Sequence, residues 1–341
     1  MIRAIEWISS DAPVIRLIDQ TRLPGETCYV DVVETTQLVD AISRLVVRGA
    51  PALGAAGAYG VALAVWEGNS KNWTDEELQV AIESIKQARP TAVNLAWGVE
   101  QVVGEIEGGF EAVLRAANEV ARGDEAANRE LSRRGADWIV KNYPKDKYRI
   151  ITHCNTGALA TTAWGTALGI VRELNERGLV EQVFVDETRP LLQGSRLTSW
   201  ELKQLGIAHK LQVDGASSST ILRGLVDFAV IGADRIAANG DTANKIGSVG
   251  LALAASRVGI PFLVAAPSST VDLQTASGRD IEIELRNGDE VTNIGVSVIA
   301  PEGVEVFNPA FDVTPFDLVS AIATEKGVIE PNRQTLDQLF N

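Results

Sequence analysis

Cys154 is the side chain in this chain most suited to acid–base or covalent chemistry. It lies in the stretch Thr152-His153-Cys154-Asn155-Thr156-Gly157. An apolar run beginning at Tyr148 reads as a buried strand that stops at the thiol. Apolar residues at 160, 163, 164, 167, 168, 171 and 174 have helical spacing, which predicts a helix over 158–177 directly after it. A thiol between a strand end and a helix N-terminus sits in a field that favours its anion. Two further polar clusters follow predicted strands: Asp186-Glu187-Thr188-Arg189, and Asp234 after Ala229-Val230-Ile231-Gly232-Ala233. We read Cys154 and Asp234 as functional, and Asp186 and Glu187 equally as caps of the next helix.

Two segments have the makings of anion sites. Arg48-Gly49-Ala50-Pro51 opens a charge-free run to Trp66; proline suits a first helical turn, and helix N-termini bind anions. The plain alternative is a capped helix start with a surface arginine. Asn244-Lys245-Ile246-Gly247 is expected to begin a helix over 243–257, where Lys245 either holds a phosphate as a point charge or is simply solvated.

The elements that must position these groups fall into two halves. Short strands are expected at 2–8, 14–18 and 28–32, followed by helical periodicity from Thr36 to Asn142. Thr74 and Glu77 form a capping box within that helical stretch. The Asn142–Lys147 segment, with Pro144, is the expected linker, giving domains 1–145 and 146–341. After it, strands at 148–153, 182–185, 210–213, 227–231 and 261–265 alternate with helices at 158–177, 195–205, 216–225 and 243–257. That alternation is the α/β pattern of a parallel, doubly wound sheet, whose ligands bind beyond the carboxyl ends of the strands.

Bulk properties narrow the chemistry. A net charge of −14, from 31 basic and 45 acidic residues, argues against nucleic acid or an anionic membrane as partner. The run from Gly49 to Trp66 reaches membrane-spanning length, but its Gly and Ala content reads as a buried helix. Two cysteines, Cys28 and Cys154, suit free thiols in a reducing compartment. There is no Walker loop, no G-x-G-x-x-G after a strand and no G-x-S-x-G elbow. His153 and His209 are the only histidines and are not spaced as metal ligands. Strand neighbours point to opposite faces, so His153 is read as structural and not as a base for Cys154. A thiol, a carboxyl and two anion sites suit proton movement on a phosphorylated small molecule.

Taken in order, the motifs resemble the methylthioribose-1-phosphate isomerase family nearly end to end. They include Asp19-Gln20-Thr21-Arg22-Leu23-Pro24, Arg48-Gly49-Ala50-Pro51-Ala52, the Cys154 stretch, and Asp186 through Thr198. Ile231-Gly232-Ala233-Asp234-Arg235-Ile236, Asn244-Lys245-Ile246-Gly247 and Asn308-Pro309-Ala310-Phe311-Asp312 continue the match. The resemblance implies Asp234 as proton donor and Cys154 as second catalytic group. It implies substrate binding by Arg48, Gly49, Ala50, Arg89, Gln193, Asn244 and Lys245, with no cofactor and no metal. It further implies a mainly helical N-terminal domain carrying short strands, a Rossmann-like C-terminal domain, and a cytoplasmic homodimer acting on a sugar phosphate in methionine salvage. Ribose-1,5-bisphosphate isomerases and the non-catalytic regulatory subunits of the translation-initiation exchange factor are related alternatives. Ile283-Glu284-Leu285-Arg286 and Asp214-Gly215-Ala216-Ser217 depart from the family's usual runs, so their loops are expected to differ in shape.

Overall fold

The computed structural model describes residues 2–9, 12–90 and 92–340. It is a mixed α/β fold whose contacts gather into two compact units, Met1–Glu130 with Thr156–Gly169, and Leu131–Asn155 with Ile170–Asn341.

In the first unit, β1 (Ile5–Ser9), β2 (Pro13–Ile18) and β3 (Tyr29–Val32) form an antiparallel sheet in that order. Helices α1 (Thr35–Ser43), α2 (Ala50–Lys71), α3 (Asp75–Lys86), α4 (Val93–Glu100) and α5 (Phe110–Asn142) follow, α5 running on into the second unit. The predicted capping box forms: the Glu77 amide donates to Thr74 Oγ1, and the Thr74 amide donates to the Glu77 carboxylate. Helix α2 is the charge-free run, and every residue from Ala52 to Val65 is buried in the core of this unit. No helix among the described residues is long and apolar enough to cross a membrane.

Glycine lets α4 approach α2 backbone to backbone. A Cβ at Gly98 would overlap the carbonyl of Gly54, and one at Gly57 would overlap that of Leu95. Gly98→Ala should therefore force the helices apart. We expect a loss of about 1–3 kcal/mol, the usual cost of overpacking a core, read as a lower denaturant midpoint. An unchanged midpoint would mean that this crossing tolerates separation.

The second unit is built on a seven-stranded sheet. Its strands are β4 (Tyr148–Thr152), β5 (Val180–Asp186), β6 (His209–Gln212), β7 (Phe228–Ile231), then β10 (Phe262–Ala265), β15 (Ala321–Ala323) and β16 (Val328–Ile329). Their order is β16-β15-β10-β7-β4-β5-β6, parallel throughout except for the edge strand β16. All five strands expected from the sequence of this half are present in it. Its helices are α6 (Ala167–Glu176), α7 (Ser199–Gln204), α8 (Ser217–Leu222) and α9 (Ser248–Val258). A smaller sheet, ordered β11-β8-β9-β14, comprises β8 (Arg235–Ala237), β9 (Thr242–Lys245), β11 (Val271–Asp272) and β14 (Phe311–Thr314). Short α10 (Asp289–Thr292), the ribbon of β12 (Asn293–Ile294) and β13 (Ser297–Val298), and α11 (Arg333–Phe340) complete the fold.

Two expectations need correction. No helix follows Cys154 directly: Ala158–Ala160 makes one 3-10 turn, and α6 starts only at Ala167. Gly157 and Gly165 pair as an isolated bridge, and Trp164 has a φ of 77°, which no helix accommodates. Residues 151–171 are all buried, so the apolar spacing had no exposed face against which to define a period. Asn244 and Lys245 lie on β9, paired with β8 and β14, and α9 begins three residues later than Lys245. Strand pairing on both sides overrides local helical preference there. Pro144 follows the end of α5, whose residues fall in the first unit as far as Glu130 and in the second from Leu131.

Candidate active site

Strands β7, β4 and β5 are adjacent and parallel, with Thr152 in register with both Val230 and Val185. The residues that follow them leave from the same edge, which is where parallel sheets bind ligands. The structure thus brings Cys154, Asp186 and Asp234 to one rim, as the sequence implied.

Cys154 is 6% exposed and has a φ of 63°. A left-handed conformation at a non-glycine residue costs about 1–3 kcal/mol and persists only where neighbours enforce it. Two threonines do so. The Cys154 amide donates to Thr188 Oγ1 at 2.8 Å, and the Cys154 carbonyl accepts from Thr198 Oγ1 at 2.6 Å. Thr188 is itself left-handed (φ 65°), its amide donating to Asp214 Oδ1 at 2.7 Å. The Asp214-Gly215-Ala216-Ser217 departure therefore begins with a residue that anchors this loop. The adjacent Asn155 amide donates to Glu201 Oε1 at 2.7 Å, both side chains being buried. A strained, clamped turn aims the thiol, in place of the helix N-terminus expected.

Thr188 and Thr198 were not singled out from the sequence. Their contribution is backbone hydrogen bonding to a left-handed turn, which residue type alone does not announce.

Gln193 is buried between left-handed Leu192 and a π-helical turn at Gly194–Thr198. Its Oε1 has no hydrogen-bond partner among the described residues. A buried acceptor left open is costly, and π turns concentrate at functional sites.

Asp234 stands three residues beyond β7, half-buried, and opens the β8–β9 hairpin. Its amide donates to the Ala243 carbonyl at 2.9 Å, so the hairpin sets it beside Asn244 and Lys245. Asn244 Nδ2 donates to Ser248 Oγ at 2.9 Å. Lys245 Nζ donates to the Ala310 carbonyl at 2.9 Å and lies 4.7 Å from the centre of the Phe311 ring.

His153 is buried, with Nδ1 3.1 Å from Asp186 Oδ2 and Nε2 2.8 Å from the Ile246 carbonyl. Both nitrogens are occupied, so the ring is no base for Cys154, as expected. Asp186 Oδ1 accepts from Gln212 Nε2 and Ser217 Oγ. Asp186 therefore organises the rim from within and does not cap a helix. His153, Asp186 and Asp214 offer atoms close enough together to bind a metal ion. The donor set does not fit one, because the ring faces two acceptors and both Asp214 oxygens accept backbone amides.

Arg48, Gly49, Ala50 and Arg89 belong to the first unit. Gly49 has a φ of 95° and precedes α2; a Cβ there would overlap the Ala160 carbonyl, so the close backbone approach read from the sequence is real. Arg48 is half-buried, and the Arg89 carbonyl accepts from the Ala92 amide after α3. Asp124 secures the loop that follows Asn155: the Thr162 amide and hydroxyl donate to its Oδ2 at 2.8 and 2.6 Å. Burial lifts the Asp124 carboxyl to about 6, against hydrogen bonds from Thr162 and Asn128 that lower it.

Residues 46–331 match the sequence pattern of the Initiation factor 2 subunit family. The chain belongs to that family. Within it, a methylthioribose-1-phosphate isomerase of Pseudothermotoga lettingae is 44% identical over 99% of this chain and 98% of its own. A probable bifunctional methylthioribose-1-phosphate isomerase/methylthioribulose-1-phosphate dehydratase of Nocardia farcinica is 49% identical over 92% of this chain, which spans 57% of that longer protein. Among solved structures, the 5-methylthioribose 1-phosphate isomerase of Pyrococcus horikoshii superposes with a TM-score of 0.91 at 37% identity, covering 100% of this chain and 96% of that one. A protein described as the delta subunit of translation initiation factor eIF-2B from A. fulgidus gives 0.87 at 40% identity, covering 99% and 100%. The family thus contains both names, and the fold alone does not choose between them.

Proposed function

We propose that this chain is an aldose–ketose isomerase that converts 5-methylthioribose 1-phosphate to 5-methylthioribulose 1-phosphate in methionine salvage. The observation that carries this reading is the placement of a thiol and a carboxyl, Cys154 and Asp234, beyond the ends of the neighbouring parallel strands β4 and β7. That pairing is what an isomerase needs and what a purely regulatory subunit does not.

The phosphate on C1 locks the sugar in its ring form, so ring opening needs an acid. Asp234 gives its proton to the ring oxygen as the C1–O bond breaks. Cys154 assists transfer of hydrogen from C2 to C1, and the C2 hydroxyl proton departs as the ketone forms, restoring the carboxyl of Asp234. Each bond broken is matched by one formed, and the product is an isomer. Gln193, Asn244 and Lys245, with Arg48, Gly49, Ala50 and Arg89, bind the sugar and its phosphate. Lysine and arginine suit the phosphate, and the open Gln193 oxygen suits a sugar hydroxyl.

In this reading residues 146–341 form a Rossmann-like catalytic domain, residues 1–145 the helical domain, and the enzyme is a cytoplasmic homodimer. Substrate choice is tested by comparing kcat/KM for methylthioribose 1-phosphate with that for ribose 1,5-bisphosphate. Preference for the first by tenfold or more is expected; preference for the bisphosphate would move the protein to that related activity. Activity on neither, with binding to the GTP-binding initiation factor, would make it a regulatory subunit.

A further inference from the structure

His153 is not used by the chemistry above, yet its surroundings are unusually specific. It is 1% exposed, and its two ring nitrogens face a carboxylate and a carbonyl. A neutral imidazole has one donor and one acceptor, so neither tautomer satisfies both partners; the imidazolium does. Asp186 is suited to be its anion, since its other oxygen already accepts two donors. The charged groups facing the ring are Asp186 at the end of β5, Asp214 after β6 and Asp312 on β14. Burial opposes the ring's charge, but hydrogen bonding and attraction from Asp186, then Asp214 and the Ile246 carbonyl, hold its pKa above the ordinary histidine value.

The second partner shows what the charge is for. The Ile246 carbonyl and the Gly247 amide are two ends of one peptide group. His153 holds the carbonyl, while Asp312 Oδ2 accepts the Gly247 amide at 2.8 Å and the Val249 amide at 3.2 Å. Gly247 has a φ of 110°, and a Cβ there would come within 2.7 Å of the imidazole Cε1. The peptide is thus gripped from both sides, at the point where β9 turns into α9. Asp312, on β14, is also the register partner of Asn244 on β9.

We propose that His153 is a positioning residue: as an imidazolium between Asp186 and Ile246, it clamps the Ile246–Gly247 peptide together with Asp312 and thereby sets Asn244 and Lys245. The consequence for substrate rests on the isomerase reading given above; the clamp itself does not. Because His153 and the turn at Cys154 directly follow β4, the clamp ties β9 to the segment that bears the thiol.

Two measurements test this. The first is a nitrogen–proton correlation spectrum of the histidine rings in the wild-type protein at about pH 7, just above the ordinary histidine value of about 6.5. The chain has only two histidines, and His209→Gln assigns them. Both ring nitrogens of His153 protonated is the expected result; a neutral tautomer overturns the proposal whatever the substrate proves to be. The second is steady-state kinetics of His153→Gln and Asp312→Asn, normalised to folded protein. A shift of the strand by about an ångström costs up to about a hundredfold, so kcat/KM should fall about ten- to hundredfold, mostly through KM. A merely structural role would lower the melting temperature and leave KM within about twofold, which would also overturn the proposal. Absence of turnover by the wild type would instead count against the isomerase reading, with the spectrum still deciding the clamp.

Discussion

Cys154→Ser is expected to lower kcat on methylthioribose 1-phosphate by about a hundred- to ten-thousandfold, the usual worth of a positioned proton-transfer group, with KM little changed. Serine is nearly isosteric, and the interactions that hold this turn are made by the Cys154 backbone with Thr188 and Thr198. The left-handed turn should therefore survive and the melting temperature should stay within about 2 °C. What is lost is the acidity of the thiol: a hydroxyl is far too weak an acid to exchange protons with carbon near neutrality. A serine variant with near wild-type turnover would remove Cys154 from the mechanism.

Asp234→Asn is expected to cost a similar factor for a different reason. The amide keeps the shape, and the backbone hydrogen bond to Ala243 that fixes the hairpin remains. It cannot, however, hand a proton to the ring oxygen as the C1–O bond breaks. Ring opening should become rate-limiting, so the defect should shrink on an analogue that is already open-chain. Cys154→Ser should stay defective on that analogue, since hydrogen transfer from C2 to C1 is still required. Equal loss by both variants on the closed and open substrates would contradict this division of roles.

Much of this arrangement could be read from residues alone, and the physical reasons are specific. Strands β4, β7 and β10 are covered on both faces, so they appear as short apolar runs between polar turns. Once the sheet is parallel, the groups after those runs must share an edge, which is why Cys154, Asp186 and Asp234 were legible as a rim. Gly49 was legible because a charge-free helix beginning Arg-Gly-Ala-Pro needs a residue that tolerates close backbone approach.

The rest was decided by partners distant in sequence. From 151 to 171 every residue is buried, so hydrophobic periodicity carried no information and a helix was expected where the chain makes turns. Thr242–Lys245 became a strand because β8 and β14 flank it, Asp312 lying 68 residues beyond its register partner Asn244. The threonine clamps on Cys154 depend on left-handed conformations that do not follow from residue type. His153 reads as structural from its place beside Cys154, because its partners Asp186 and the Ile246 carbonyl lie 33 and 93 residues away along the chain.

The most direct test is a proton NMR time course of the wild-type protein with methylthioribose 1-phosphate, without added nucleotide or metal, alongside Cys154→Ser and Asp234→Asn. Steady conversion to the 2-keto isomer by the wild type is expected and, over the same interval, almost none by either folded variant. No conversion by the wild type, or conversion at the same rate by all three proteins, would contradict the proposed mechanism.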